Sequence, residues 1–346
     1  MDKFDPCGIE VSARELVVAL RRGDREERLR SFPNTAEGHA AIVCFLAGGP
    51  QRVRVVLEST RLYGLDLAYA LCREPQVEVL VANPRAVRHF ASALMQRSKN
   101  DQLDTVVLRE FAARMPFHPW SPPSGEAFAL CAVARRLETL TAQCTAEKNR
   151  LHAAQLSQAI PPAVRRDVQR SVRSLGRAIQ RLTREVLRIL ERDPLLHRHY
   201  QLLLTIPGVG STSAIQTLAE VALLAQDLDV RQWVAYEGLD PREYRSGSSV
   251  HKKVRISKAG NRHLRRALYM PALVAVRHEP HLRAFYQHLL AKGKTKMQAL
   301  VAVMRKLLHA IFGMFKHQQP YDGAKLYRHA ELATAPSAKI STQEAA

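Results

Sequence analysis

Acidic residues are scarce relative to basic ones in this chain of 346 residues: 32 Asp and Glu stand against 52 Lys and Arg, a formal charge of +20. An imbalance of that size points to a polyanionic partner, nucleic acid first, with an anionic membrane surface as the competitor. Cysteine is also scarce. Cys7, Cys44, Cys72, Cys131 and Cys144 are scattered and form no CxxC pair, which argues against zinc ribbons and disulfide frameworks and suits a reducing cytoplasm. The chain has no GxxxxGK loop, so a P-loop ATPase is not expected. No apolar run approaches the ~18 residues of a membrane-spanning helix, and "MDKFDPCGIE" lacks the charged-then-apolar layout of a signal peptide. What remains is a hydrophobic fraction of 46%, ordinary for a globular protein with real cores. The length allows about two domains at ~150 residues each.

Residues 1–120 read as mixed α/β. "CGIEVS" (7–12) and "ELVVAL" (15–20) look like strands joined by a short turn, and "RLRSF" (28–32) like a third. A helix starts at Asn34 or Thr35 and stops at the glycines near 48. "RVRVVLE" (52–58) alternates as a strand does, 61–74 has helical period, "VEVLVA" (77–82) is a buried-type strand, and helices follow to about Met115. Three early strands, then alternating helix and strand, then a helix is the element order of an RNase H-like fold. The Pro-rich "HPWSPPSG" (118–125) marks a boundary.

Two long helical stretches follow, separated by "AIPPA" (159–163). Leu130, Val133, Leu137, Leu140, Cys144 and Leu151 fit a seven-residue repeat that Glu147 interrupts, and Val168, Val172, Leu175, Ile179, Leu182, Val186 and Ile189 are spaced 4-3-4-3-4-3. An antiparallel helical hairpin or coiled coil over 126–198 is expected, as a spacer or as a dimer- or tetramer-forming element. Arg166, Arg170, Arg173, Arg177, Arg181, Arg184 and Arg188 lie about two positions from these apolar residues, roughly 200° around the helix. A solvated coiled-coil face normally mixes both signs. This one does not, so phosphate contact is expected.

Residues 199–320 read as a mostly helical domain, and 321–346 as a disordered tail. "LLTIPGVGSTSAIQTLAEV" (203–221) has a helix–hairpin–helix-like turn whose Gly208 and Gly210 would expose N–H groups to a phosphate, or simply make a tight turn. "HKKVRISKAGNRHLRRA" (251–267) is densely basic. Its Lys252, Lys253, Arg255, Lys258, Arg262, Arg265 and Arg266 are further backbone-binding candidates.

Four acids stand apart. Phosphodiester chemistry with two divalent ions needs several carboxylates converging on one point, and Mg²⁺ prefers such hard oxygen ligands. Glu10 lies mid-strand between Ile9 and Val11, where a lone acid needs a reason. Glu58 ends a strand. Asp101 and Asp104 are at i and i+3, on one helix face. Individually, Glu58 reads as a surface acid and Asp101 as an N-cap. Jointly they occupy the first strand, the fourth strand and a late helix, where an RNase H-like site draws its ligands.

"GIEVS", "VVLEST", "KNDQLDTVVL", "IPGVG" and "EGLDPREYRSGSSVHKKVRISKAGNRHLRRAL" follow one another in an order that resembles the IS110 family of insertion-sequence transposases, from about residue 7 to 318. The resemblance implies a RuvC-like N-terminal domain with a DEDD acid set, a coiled coil, and a C-terminal transposase domain with a nucleophilic serine. It implies a DNA recombinase, cytoplasmic and nucleoid-associated in a bacterium, acting on donor and target DNA with Mg²⁺. It further implies guidance by a structured noncoding bridge RNA. Glu10, Glu58, Asp101 and Asp104 match the metal-binding acids, and Ser246 in "YRSGSS" matches the serine, with Ser248 and Ser249 close by. One position departs: the family has Asp where this chain has Glu10. The added methylene moves the carboxylate by roughly 1–1.5 Å, which backbone or rotamer adjustment must absorb; an active enzyme is expected. The alternatives are a site-specific DNA invertase, a junction-resolving nuclease with water as nucleophile, and a nucleic-acid-binding protein impaired in catalysis.

Overall fold

A computed structural model of the chain describes residues 4–23, 29–58, 63–95, 100–225, 227–246 and 250–327, without the side chains of residues 101 and 244–253. The tail expected to be disordered lies almost wholly outside these residues. The chain divides into two compact units, 1–122 and 123–346.

The first unit is a five-stranded sheet with helices on both faces. Strands β1 (Phe4–Val11), β2 (Glu15–Leu20), β3 (Arg30–Pro33), β4 (Arg52–Glu58) and β5 (Val77–Ala82) are ordered β3-β2-β1-β4-β5. β2 is antiparallel to β1 and β3, whereas β1, β4 and β5 run parallel. Helices α1 (Ala36–Ala47), α2 (Leu65–Cys72), α3 (Pro84–Ala93) and α4 (Asp101–Arg114) complete it. Alternation along the central strands makes two cores. Cys7, Ile9, Val11, Val53, Val55 and Leu57 pack with Ile42 and Leu46 of α1 and Leu67 and Leu71 of α2. Val56 and Ala82 pack on the other face with Val87, Val107, Leu108 and Phe111. Thr35 caps α1, as its position suggested. For α4 the cap is Asn100, whose side chain accepts from Leu103 N at 2.7 Å. Asp101, for which capping was the alternative, is instead the first helical residue.

The second unit is helical apart from one hairpin. Helices α5 (Gly125–Leu156) and α6 (Pro162–Arg192) form the expected antiparallel pair, each about 45–50 Å long at 1.5 Å per residue. Leu130, Leu137, Val186 and Ile189, at the base of the pair, belong to the core of the helical bundle itself. That bundle comprises α7 (Pro194–Leu204), α8 (Ser211–Val221), α9 (Val230–Glu237), α10 (Arg262–His278), α11 (Pro280–Ala291) and α12 (Lys296–His317). Two strands, β6 (Pro241–Ser246) and β7 (Val250–Ile256), pair antiparallel between α9 and α10, where the sequence suggested a loop and the approach to a helix. α12 is the most apolar long helix among the described residues, though Arg305 and Lys306 break its apolar run. It is long and apolar enough to cross a membrane by length and composition. Its Leu300, Val303, Leu307 and Ile311 are buried in the bundle, which accounts for that composition.

Gly8 sets the distance between β1 and α4. A Cβ there would overlap Thr105 O and Arg109 N and sit 2.8 Å from Leu108 Cβ. Both clashing atoms are backbone, so the helix as a whole would have to move. Gly8→Ala is expected to destabilise the first unit by about 1–3 kcal/mol or more, the usual cost of overpacking. Chemical denaturation of the variant and the parent measures it.

Candidate active site and nucleic-acid interface

β1 and β4 set Glu10 and Glu58 on adjacent strands, and α4 carries Asp104 toward the same end of the sheet. Parallel pairing sets Ile9 beside Leu57, so Glu10 and Glu58 are the next residues on adjacent strands, about 4.8 Å apart at the backbone. Both share the parity of Gly8 and Val56, and therefore the face that α4 covers. The direction of α4 follows from its contacts. Near its C-terminal end Glu110 pairs with Arg21, whose backbone N–H donates to Pro6 O. Thr105 and Arg109 lie over Gly8. Moving toward the helix start is therefore moving along β1 toward Glu10, and this end carries Asp101 and Asp104. The N-terminal end of the helix dipole favours acids there in any case. Glu10, Glu58 and Asp104 are half-buried.

Hard carboxylate oxygens suit a divalent cation such as Mg²⁺. Among the described residues, no group of three or more His, Cys, Asp or Glu is close enough to hold a metal ion. The side chain of Asp101, the fourth acid, is outside them. The four acids fit the ion in donor type, and Glu10 and Glu58 lie on adjacent strands, but the described side chains form no metal-sized cluster.

Glu110 escaped the sequence reading. Arg21, Arg109 and Arg114 surround it at 2.7–3.2 Å. Burial alone would raise its pKa, but these arginines outweigh it and hold the carboxyl below its ordinary range. An acid between an i−1 and an i+4 arginine reads as surface charge until the fold brings in Arg21.

In the second unit Ser246 is the last residue of β6, paired with Val250. Its side chain, with those of Lys252 and Lys253, is outside the described set, as are Ser248 and Ser249. Arg255, Lys258, Arg262 and Arg266 are not buried, and Arg266 also pairs with Glu138 at 2.8 Å. Arg265 is half-buried and donates to the backbone oxygen of Glu237. Gly208 takes φ +93°, a conformation natural to glycine, and a Cβ there would press on Val274. Gly210 begins α8 without a side-chain cap.

The arginine stripe on α6 lies on the open side of the helix, while the seam residues face α5 and are buried or half-buried. Only Arg170 and Arg188 of the seven are within ion-pair range of an acid, with Asp167 and Glu185, among the described residues. A long face of one sign with so little compensation suits a phosphate backbone.

At the foot of the β6–β7 hairpin lies a buried acid, Glu237, fully enclosed. Neither of its carboxylate oxygens has a hydrogen-bond partner. Burial pushes its pKa up to about 8, with Arg265 opposing.

Two family models match this chain. One, the DEDD type of IS110 elements, described as "Transposase", matches residues 7–161. The other, "Transposase IS116/IS110/IS902 family", matches residues 200–287. The chain is 27% identical over 297 residues to a pilin gene-inverting protein of Moraxella bovis, spanning 84% of this chain and 90% of that one. It is 27% identical over 221 residues to the transposase for insertion sequence element IS1328 of Yersinia enterocolitica, 57% of this chain and 64% of the relative. A 43.6 kDa protein of insertion element IS110 from Streptomyces coelicolor is 30% identical over 141 residues, 41% of this chain and 34% of its own length.

Two outcomes are expected. Replacing Arg170, Arg177 and Arg184 with Gln weakens duplex binding. It also flattens the slope of log K against log salt by about 0.9 for each phosphate no longer neutralised; titrations at several salt concentrations read it. Glu237 binds a proton more tightly folded than unfolded, so its contribution to stability falls as pH rises between 4.5 and about 8. Glu237→Met removes this dependence and stabilises the protein at pH 8 by on the order of a few kcal/mol, read by urea unfolding at pH 5 and pH 8.

Proposed function

Because the chain belongs to the IS110/IS116/IS902 family of transposases, we propose that it is a DNA recombinase with an RNase H-like, RuvC-like acid site in its first unit and Ser246 as its nucleophile. The observation that carries the acid site is the placement of Glu10 and Glu58 side by side on β1 and β4, on the face over which α4 brings Asp104. The β3-β2-β1-β4-β5 order, with β2 reversed, supports the RNase H-like reading.

Glu10, Glu58, Asp101 and Asp104 would hold Mg²⁺, which when bound neutralises charge on phosphodiester oxygens. Ser246 Oγ attacks the phosphorus; the new Oγ–P bond replaces a P–O bond to the sugar, and the serine proton passes to the departing sugar oxygen. The reverse attack by a sugar hydroxyl of a second duplex frees the serine and reseals the strand. A serine hydroxyl is a weak nucleophile at its ordinary pKa, and its activation would come from the bound cation. The α6 stripe and the basic residues 252–266 hold nucleic-acid backbones. A structured noncoding RNA selects donor and target DNA by base pairing, a division of labour in which protein reads the backbone and pairing reads the sequence. The α5–α6 pair assembles the protein into dimers or tetramers.

A second reading is a DNA invertase acting on fixed inverted sites. It is favoured by the pilin gene-inverting relative, which aligns over 90% of its own length. RNA that co-purifies with the protein and pairs with its target separates the two.

Ser246→Ala is expected to abolish the covalent protein–DNA adduct and leave nucleic-acid binding intact. Glu58→Gln is expected to abolish Mg²⁺-dependent adduct formation with Ser246 in place. Denaturing gels with labelled DNA read both, and an adduct that persists in Ser246→Ala removes Ser246 from the mechanism.

A further inference from the structure

The second unit contains a polar network that, Arg266 apart, the proposed chemistry leaves unused. Glu220 of α8 is 2% exposed. Arg135 of α5 donates to it from Nε and Nη2 at 2.8 and 2.9 Å, and Asn261 donates from Nδ2 at 2.5 Å. Burial alone would raise the pKa of Glu220, but these donors outweigh it and hold the carboxyl low. Alongside, Glu138 of α5 lies 2.7 Å from His263 Nδ1 and accepts from Arg266 at 2.8 Å. Both acids therefore tie the base of α5 to residues 261–266, the segment that follows β7.

Asn261 has a second task. Its Oδ1 accepts from His263 N and Leu264 N and so starts α10, while its own N–H donates to Tyr236 O at 2.7 Å. The same segment is laced to the end of α9. Lys258 N donates to Gly238 O at 3.1 Å, and Ser257 donates to Asp240 through both N and Oγ. Gly260 lies so close to Tyr236 O that no Cβ fits. Residues 236–240 and 257–261 are the two feet of the β6–β7 hairpin, whose first strand ends in Ser246.

Glu220 is enclosed while the Arg135 side chain remains about half exposed, and a carboxylate taken out of water to meet a charged partner is a poor stability device. Apolar residues of similar volume often stabilise as well or better, and the attested use of such pairs is to specify one arrangement among several. We propose that the Glu220–Arg135–Asn261 network, with Glu138–His263–Arg266 beside it, is a positioning device. It fixes the serine-bearing hairpin relative to the base of the α5–α6 pair. The inference rests on the reading of Ser246 as nucleophile. Glu220, Arg135 and Asn261 are positioning residues and do not touch DNA in this role.

The test uses the full-length protein and two variants, Glu220→Gln and the double apolar replacement Arg135→Met with Glu220→Leu. Glu220→Gln is expected to slow adduct formation by about tenfold or more, as a small misplacement of reacting groups does, with duplex affinity unchanged. The double replacement is expected to recover thermal stability without recovering the adduct rate. If the rate recovers with stability, the network is merely structural and the proposal fails. Hydrogen exchange of the 241–256 amides is read in the same samples, and it should accelerate in Glu220→Gln. Unchanged protection there overturns the proposal whatever Ser246 does. An adduct that forms in every variant, Ser246→Ala included, together with faster exchange, overturns the serine reading and leaves the positioning network standing.

Discussion

The approach of α4 onto β1 at Gly8 is the constraint from which the first unit's site follows. Helix backbone meets strand backbone without an intervening side chain, and that brings the start of the helix within reach of the strand ends. Glu110 ties the far end of α4 to Arg21, just after β2. A helix clamped at its C-terminal end and seated on a glycine has little freedom left at its N-terminal end. Asp101 and Asp104 are there.

The second unit solves the same problem with the same means. Gly260 allows the segment after the hairpin to lie against Tyr236 O, and a buried glutamate, Glu220, is clamped by Arg135 and Asn261. In both units the acids that organise the backbone are buried beside arginines, while Glu10, Glu58 and Asp104 stay half-buried. The large excess of positive charge is left for the surface, above all the arginine face of α6, where two of the seven arginines meet an acid among the described residues. One chain thus separates two uses of charge: paired and enclosed for geometry, unpaired and exposed for polyanion contact.

The parts legible in the sequence were those with strong periodicity. The parallel strands β4 and β5 carry apolar residues at strand spacing, α6 repeats its apolar residues at heptad spacing, and each has a core that makes the pattern necessary. The β6–β7 hairpin was missed because a two-stranded ribbon of "PREYRS" and "VHKKVRI" shows little of the apolar alternation by which strands are read. The only cue was the Gly between Ser246 and Ser248, flanked by Tyr244 and Val250, which is the signature of a short hairpin turn. Glu110 and Glu220 were invisible for another reason. Their decisive partners, Arg21 and Arg135, are far away in the chain, and nothing local distinguishes such an acid from a solvated one.

The sequence by itself determined the charge, the helical seam with its opposed arginine face, and the family, because these reside in composition, in local period and in ordered motifs. Only the tertiary structure decided that Glu10 and Glu58 are neighbours on one face, that α4 runs toward them, and that Asn261 both starts a helix and closes on Glu220. These are contacts between residues tens of positions apart. Strand register and helix direction create them, and neither quantity is written in any local stretch of the chain.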